Sequence, residues 1–286
     1  MITPEYLHQL DRFNIVLKKR VNSRYAGSRE SQYFGNGLIF KDYREYTPGD
    51  DIRSIDWKVY ARTDKFFIRR FEEERNLVLH AIIDASASMD YGKRTPKFSY
   101  AAMLGLGFAY MAMRNNEKFV LSTFAEKLDI LRPKKGMNQL LTLLEHLNNI
   151  KPTGKSHFRE SLERYKELVK SKAIIVVISD FLFDVEELKN TLIKYKKSEV
   201  IVIQVLDEGE RDINVKGDII LEDSETNSTL HTFVSNRLIQ KYNEKLANHI
   251  YAIKNVTDGI GAKFVSVSTG TPVFDVFYQV LKMKTG

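Results

Sequence analysis

The sequence predicts an α/β fold: a doubly wound, mostly parallel sheet, with an N-terminal subdomain and a small inserted hairpin. Three observations carry this. Two near-continuous apolar runs, Leu77–Asp84 and Ala173–Asp180, each end in a carboxylate, the pattern of strands buried on both faces. Further short β-branched runs alternate with stretches of helical apolar spacing, which implies parallel strands joined by crossovers. A charge-dense, aromatic-rich segment precedes the first run and differs from it in texture.

In chain order, Pro4–Arg20 spaces Leu7, Leu10, Phe13, Val16 and Leu17 as one face of a helix. Val21–Gly37 is polar and glycine-punctuated and reads as a loop. Within Leu38–Asn76, Pro48-Gly49-Asp50 is a turn signal and Lys65–Phe71 a short strand. The strand Leu77–Asp84 is followed by a helix at about Pro96–Arg114, a strand at Lys118–Phe124 and a short edge strand at Lys127–Ile130. Helices are predicted at Met137–Asn148 and Phe158–Lys170, then the strand Ala173–Asp180, a helix at Val185–Lys196 and a strand at Val200–Leu206. Within the polar interlude Asp207–Thr232, Asp218–Asp223 pairs with Thr229–Val234 as the hairpin. A helix at Asn236–Gly259, a strand at Lys263–Ser268 and a helix at Phe274–Met283 close the chain. Residues 1–76 are expected to form the N-terminal arm and 77–286 the sheet domain.

Composition excludes several classes. Hydrophobic residues at 43% and charged residues at 28% exclude a disordered chain. With no cysteine, thiolate catalysis, thiolate-bound zinc and disulfides are out. The net charge of +7 is spread among 37 acidic residues without a basic stripe, so no nucleic-acid partner is expected. The N-terminus has no signal-peptide pattern, and Ala101–Met113 is shorter than the about 20 residues a membrane span needs. We therefore expect a cytoplasmic protein without an integral membrane segment; Lys18-Lys19-Arg20 leaves peripheral membrane contact open. No phosphate loop or nucleophile elbow occurs. None of the six histidines is paired at metal spacing, and His80 reads as a satisfied core residue.

The chemistry gathers at the strand ends, where open parallel sheets bind ligands. Asp84-Ala-Ser86-Ala-Ser88 presents a carboxylate and two hydroxyls from one tight loop, its alanines keeping the loop small. Asp180 ends the second buried strand, with Ser179 beside it, and Ser156 lies in a loop that enters a helix. Asp and Ser also cap helices, so Asp84-x-Ser-x-Ser by itself fits a cap as well. Two strand-end aspartates with hydroxyls supply the hard oxygen donors that Mg2+ prefers alongside retained water.

Asp84-Ala-Ser86-Ala-Ser88 with Asp180 resembles the metal-ion-dependent adhesion site of von Willebrand factor A domains. The segment Tyr43–Thr63, continuing through Arg69-Arg70-Phe71-Glu72-Glu73-Glu74, resembles the family called DUF58, in which such a segment precedes an A-type domain. The resemblance runs from about Gly37 to the final helix. It implies a von Willebrand factor A-like fold, a site for Mg2+ or another divalent cation such as Mn2+ or Ca2+, and partnership with MoxR-type AAA+ ATPases. Carried over, the ligands are Asp84, Ser86, Ser88, Ser156 and Asp180; Ser156 stands where the pattern usually has Thr, and His157 where Asp is common. Many relatives carry N-terminal membrane helices; none is recognisable here. The expected function is a non-enzymatic protein-binding module that assembles or remodels protein complexes with such an ATPase or its client. The alternative is a Mg2+-dependent phosphoryl-transfer or hydrolase enzyme. Trp57, the single tryptophan, is expected to anchor the N-terminal arm on the A-type domain, and the mixed charges around it to pair with one another.

Overall fold

The computed structural model describes residues 2–24, 38–73, 78–92, 94–115, 117–131, 137–213, 217–222, 224 and 228–283, with backbone only at 15–24, 38–41 and 70–73. Of the predicted loop Val21–Gly37, the first four residues are helical and residues 25–37 lie outside this description, as do Glu74 and the side chains of Lys18, Lys19 and Arg20. The chain divides into two compact units, one of Met1–Lys18 with Leu77–Gly286 and one of Lys19–Asn76.

Helix α1 (Glu5–Arg24) runs four residues past its predicted end. Of its predicted apolar face, Leu7 and Leu10 are buried and Phe13 packs against the same core, whereas the side chains of Val16 and Leu17 lie outside the description. Ile2, Tyr6, Leu7 and Leu10 are buried in the core of the sheet unit, and the Tyr6 hydroxyl donates to the Met103 carbonyl at 2.8 Å. Burial of each large apolar side chain is worth roughly 1.5–3 kcal/mol, which ties these residues to the sheet. The N-terminal arm expected over residues 1–76 is thus divided: its boundary beside Leu77 coincides with the unit boundary, but residues 1–18 belong with the sheet. Apolar spacing identifies a buried face without naming its partner.

The smaller unit is an antiparallel pair, β1 (Leu38–Glu45) and β2 (Phe67–Glu73), with α2 (Trp57–Thr63) between them. The Asp56 carboxylate caps α2 by accepting from the Lys58 and Val59 amides at 3.0 and 3.3 Å. Burial pushes the Asp56 carboxyl up, but these bonds, the Tyr43 hydroxyl and Arg69 outweigh it and hold the group below the usual carboxylate range. Arg44 grips Asp50 through two contacts of 2.7 and 2.8 Å across the predicted turn, and Arg69 lies 3.4 Å from Asp56. The expected charge pairing is therefore present within this unit. Trp57 packs edge-on to Tyr60 and Phe66 of its own unit.

The larger unit is the predicted doubly wound α/β domain. Its strands and helices follow as β3 (Val78–Asp84), α3 (Lys97–Arg114), β4 (Lys118–Phe124), β5 (Leu128–Leu131), α4 (Met137–Asn149), α5 (Phe158–Lys166), β6 (Ala173–Ser179), α6 (Val185–Leu192), β7 (Glu199–Leu206), α7 (Glu208–Arg211), β8 (Gly217–Glu222), β9 (Thr229–Val234), α8 (Asn236–Gly259), β10 (Lys263–Ser268) and α9 (Val273–Lys282). The six-stranded sheet has the order β10-β7-β6-β3-β4-β5, parallel except for β5. Alternate residues of each central strand face opposite cores. Ala81, Ile83, Val176 and Ile178 meet α3, α4 and α9, whereas Ile82, Ile175 and Val177 meet α5, α6 and α8. Both faces are covered, which is why the strands read as unbroken apolar runs. Strands β8 and β9 form the inserted antiparallel hairpin.

Helix α3 packs so closely on α9 that a Cβ on Gly107 would stand 2.2 Å from Phe277 Cζ. Gly107→Ala is expected to destabilise the protein by about 1–3 kcal/mol through overpacking, read as a lower urea midpoint with unchanged slope. His80 is buried, with Nδ1 2.9 Å from the Tyr165 hydroxyl, and burial pulls its imidazole down to about 4. It is the core residue the sequence suggested.

Candidate metal centre at the carboxyl edge of the sheet

The chain leaves β3 for β4 on one side and returns at β6 on the other, so the carboxyl ends of β3 and β6 flank the switch point where such sheets bind ligands. Three loops meet there and are laced by backbone hydrogen bonds. The Ala85 amide donates to Phe124 O at 2.7 Å, the Thr153 amide to Ala85 O at 3.0 Å, the Ala87 amide to Gly154 O at 2.9 Å and the His157 amide to Ala125 O at 3.2 Å. Gly154 adopts φ +75, and a Cβ there would meet Glu126 Cδ at 2.8 Å; no other residue type fits this turn without strain.

Asp84 stands at the centre, fully buried. Its Oδ1 accepts the Ser86 amide at 2.9 Å, and its Oδ2 accepts the Ser156 and Ser179 hydroxyls at 3.0 and 2.7 Å. Ser86 Oγ and Ser88 Oγ lie 3.2 Å apart. Four of the five expected residues, Asp84, Ser86, Ser88 and Ser156, are therefore joined in one local network. Burial, with the nearby Asp180 charge, pushes the Asp84 carboxyl up to about 6 even though the hydrogen bonds pull it down.

Asp180, the fifth, follows β6 and is oriented differently. Its Oδ2 accepts from Lys97 Nζ at 2.9 Å, its Oδ1 from the Leu182 amide at 3.3 Å, and its carbonyl from Gln204 Nε2 at 2.9 Å. Phe181 takes a left-handed conformation (φ 50) as the chain turns away, fixed by its amide donating to Ser179 Oγ at 3.0 Å. Gln204 Oε1 is buried with no partner among the described residues, an acceptor suited to a water.

Two participants were not among the expected site residues. Ser179 was seen as a strand-end polar residue but not as a partner of Asp84; its place beside Asp180 at the end of β6 was the available signal. Lys97 was missed altogether. Its side chain is 1% exposed and bonds both Asp180 and Glu210 of α7, the latter at 2.7 Å. Burial pulls its ammonium down, but the two carboxylates outweigh this and leave it above the usual lysine range. Its signal was a lysine at the first position of a helix that carries no other charge until Arg114 at its last position.

Among the described residues no three His, Asp or Glu side chains are grouped to hold a metal. A cation here would rest on two carboxylates, hydroxyls and water. That donor set fits a hard, oxygen-seeking ion such as Mg2+, and the incompletely compensated charge on Asp84 favours one. Among the described residues no helix is long and apolar enough to cross a membrane.

Uncharacterized proteins of Mycobacterium tuberculosis (Rv1480) and Mycobacterium bovis (Mb1516) are each 23% identical to this chain over 272 residues, covering 93% of it and 86% of the relative. Similar solved structures include the conserved hypothetical protein BatB of Bacteroides thetaiotaomicron, at 15% identity, covering 72% of this chain and 97% of that one with a TM-score of 0.42. The vWF domain of the type V pili tip protein Mfa5 of Porphyromonas gingivalis matches at 12% identity, 73% and 96% coverage and a TM-score of 0.40. A family profile described as "Protein of unknown function DUF58" matches residues 42–251, more than half of the chain, and the chain belongs to that family.

Proposed function

We propose that this protein is a non-enzymatic protein-binding module. Asp84, Ser86, Ser88, Ser156 and Asp180 hold Mg2+, or another hard divalent cation such as Mn2+ or Ca2+, and a carboxylate from a protein partner completes the coordination sphere. The observation that supports this most is the buried Asp84 carboxylate at the junction of three laced loops, its charge opposed by burial and by Asp180. A cation relieves both. We take the partner to be a MoxR-type AAA+ ATPase or the client that it remodels, as the family resemblance implies, and the setting to be the cytoplasm. His157, the base that the hydrolase alternative would use, is exposed and lies at the entry to α5.

The test is binding of a purified MoxR-type ATPase to the intact protein, measured by surface plasmon resonance in Mg2+ and in EDTA. The double variant Ser86→Ala/Ser88→Ala removes two ligands without altering any charge. It is expected to weaken binding in Mg2+ at least tenfold, as EDTA does to the parent protein; each tenfold is about 1.4 kcal/mol. Equal binding by parent and variant in both buffers would refute the cation-bridged mode.

A further inference from the structure

Lys97 is badly placed by every local criterion. It opens α3 directly after Pro96, where the helix dipole disfavours a cation, and its ammonium is buried, which disfavours any unpaired charge. What holds it is the pair of carboxylates it bridges, Asp180 at 2.9 Å and Glu210 at 2.7 Å. The Tyr91 ring lies 6.0 Å away. Glu210 is itself fixed. Its Oε2 accepts the Asp207 amide at 2.8 Å in the capping box of α7, and its carbonyl accepts the Tyr242 hydroxyl at 2.8 Å. The ammonium is thus shared between two carboxylates, and the charge of one of them, Asp180, also bears on Asp84.

Resting on the cation-site reading above, we propose that Lys97 is an internal counter-ion that competes with the divalent cation for Asp180. Without the cation, the ammonium neutralises Asp180 and bridges it to Glu210. With the cation in place, Asp180 has a second positive neighbour, the two positive charges repel, and Lys97 is left chiefly to Glu210. Lys97 is in this sense a positioning residue: it lowers the affinity of the site and links its occupancy to the α7 turn. Glu210 acts in the opposite sense, because it draws the ammonium off Asp180.

The competition predicts shifts of opposite sign that a merely structural role would not produce. Mn2+ affinity is measured by calorimetry on the full chain. Lys97→Met is expected to bind Mn2+ roughly tenfold more tightly, the low end of the coupling found for close charge pairs. Glu210→Gln is expected to bind it several-fold more weakly, and to have little effect when added to Lys97→Met, since the two then share no intermediary. Ser86→Ala/Ser88→Ala serves as the control for the site. Should that control bind Mn2+ as the parent does, or the parent bind none, the cation site fails and the role of Lys97 with it. If the control loses binding while Lys97→Met binds no more tightly, or Glu210→Gln no more weakly, the site stands and the counter-ion role is overturned. Should Lys97→Met not fold, Glu210→Gln decides alone: unchanged or tighter binding overturns the proposal.

Discussion

Asp84→Asn is expected to stabilise the cation-free protein at pH 7 by about 2–3 kcal/mol while abolishing divalent-cation binding. The stabilisation follows from the environment of the buried carboxyl. Burial first, and then Asp180, raise it from an ordinary 3.8 to about 6, and each unit corresponds to about 1.4 kcal/mol. The folded protein therefore holds this proton more tightly than the unfolded chain does. For this group, stability is fully present below about pH 4, falls between about pH 4 and pH 6, and is lost above that. Asparagine keeps an acceptor for the Ser86 amide, and the Ser156 and Ser179 hydroxyls can turn to receive its NH2 group. Urea unfolding in EDTA from pH 4 to pH 7 should show a falling component in the parent protein that the variant lacks. Mg2+ should restore stability above pH 6 to the parent alone, since a ligand stabilises only the state that binds it. A variant less stable than the parent at pH 7, with the same pH slope, would show that Asp84 is already compensated by its hydrogen bonds.

Phe158→Ala is expected to cost about 3–5 kcal/mol, the range for truncating a fully buried aromatic. Phe158 is the first residue of α5, two past Ser156, and is wholly buried. Its ring centroid lies 5.9 Å from Phe124, 6.0 Å from Phe181 and 4.8 Å from Phe183. Phe124 ends β4 and its carbonyl receives the Ala85 amide. Phe181 follows Asp180. The aromatic cluster therefore adjoins the Ser156 and Asp180 loops in sequence and is tied to the Asp84–Ser88 loop through the Phe124 carbonyl. Truncation should lower the denaturation midpoint and weaken cation binding together, whereas Phe158→Leu, which refills most of the volume, should lose much less of both. A fall in stability with unchanged cation affinity would show that the cluster supports the fold without positioning the site.

How much could be read in advance depended on whether a residue's role was local. Strands β3, β6 and β7 are buried on both faces, so their apolar runs were unmistakable, and the positions of Asp84 and Asp180 at strand ends followed. Strand β1 was not recognised, because Leu38–Glu45 mixes charged and apolar residues in a small two-stranded sheet. Helix α2 and its Asp56 cap were obscured by the same charge density. The predicted helix Phe158–Lys170 stops at Lys166, and Val185–Lys196 gives way after Leu192 to a tighter turn at Ile193–Tyr195; helix ends are set by capping contacts that periodicity does not reveal. Ser156 was legible from its loop position. Lys97 and Glu210 were not, because a lysine and a glutamate 113 residues apart have no reason to meet until the sheet brings α3 and α7 to one edge. Nor could α1 disclose that its apolar face packs on the sheet.

Whether oxygens from three separate loops hold a hard cation at the carboxyl edge between β3 and β6 is read directly in an anomalous difference map from crystals of the full chain grown with Mn2+. A single strong peak among the hydroxyls of Ser86, Ser88 and Ser156 and the carboxylates of Asp84 and Asp180 is the predicted result. A map without a peak at that edge at saturating Mn2+, with Asp180 still bonded to Lys97, would contradict it.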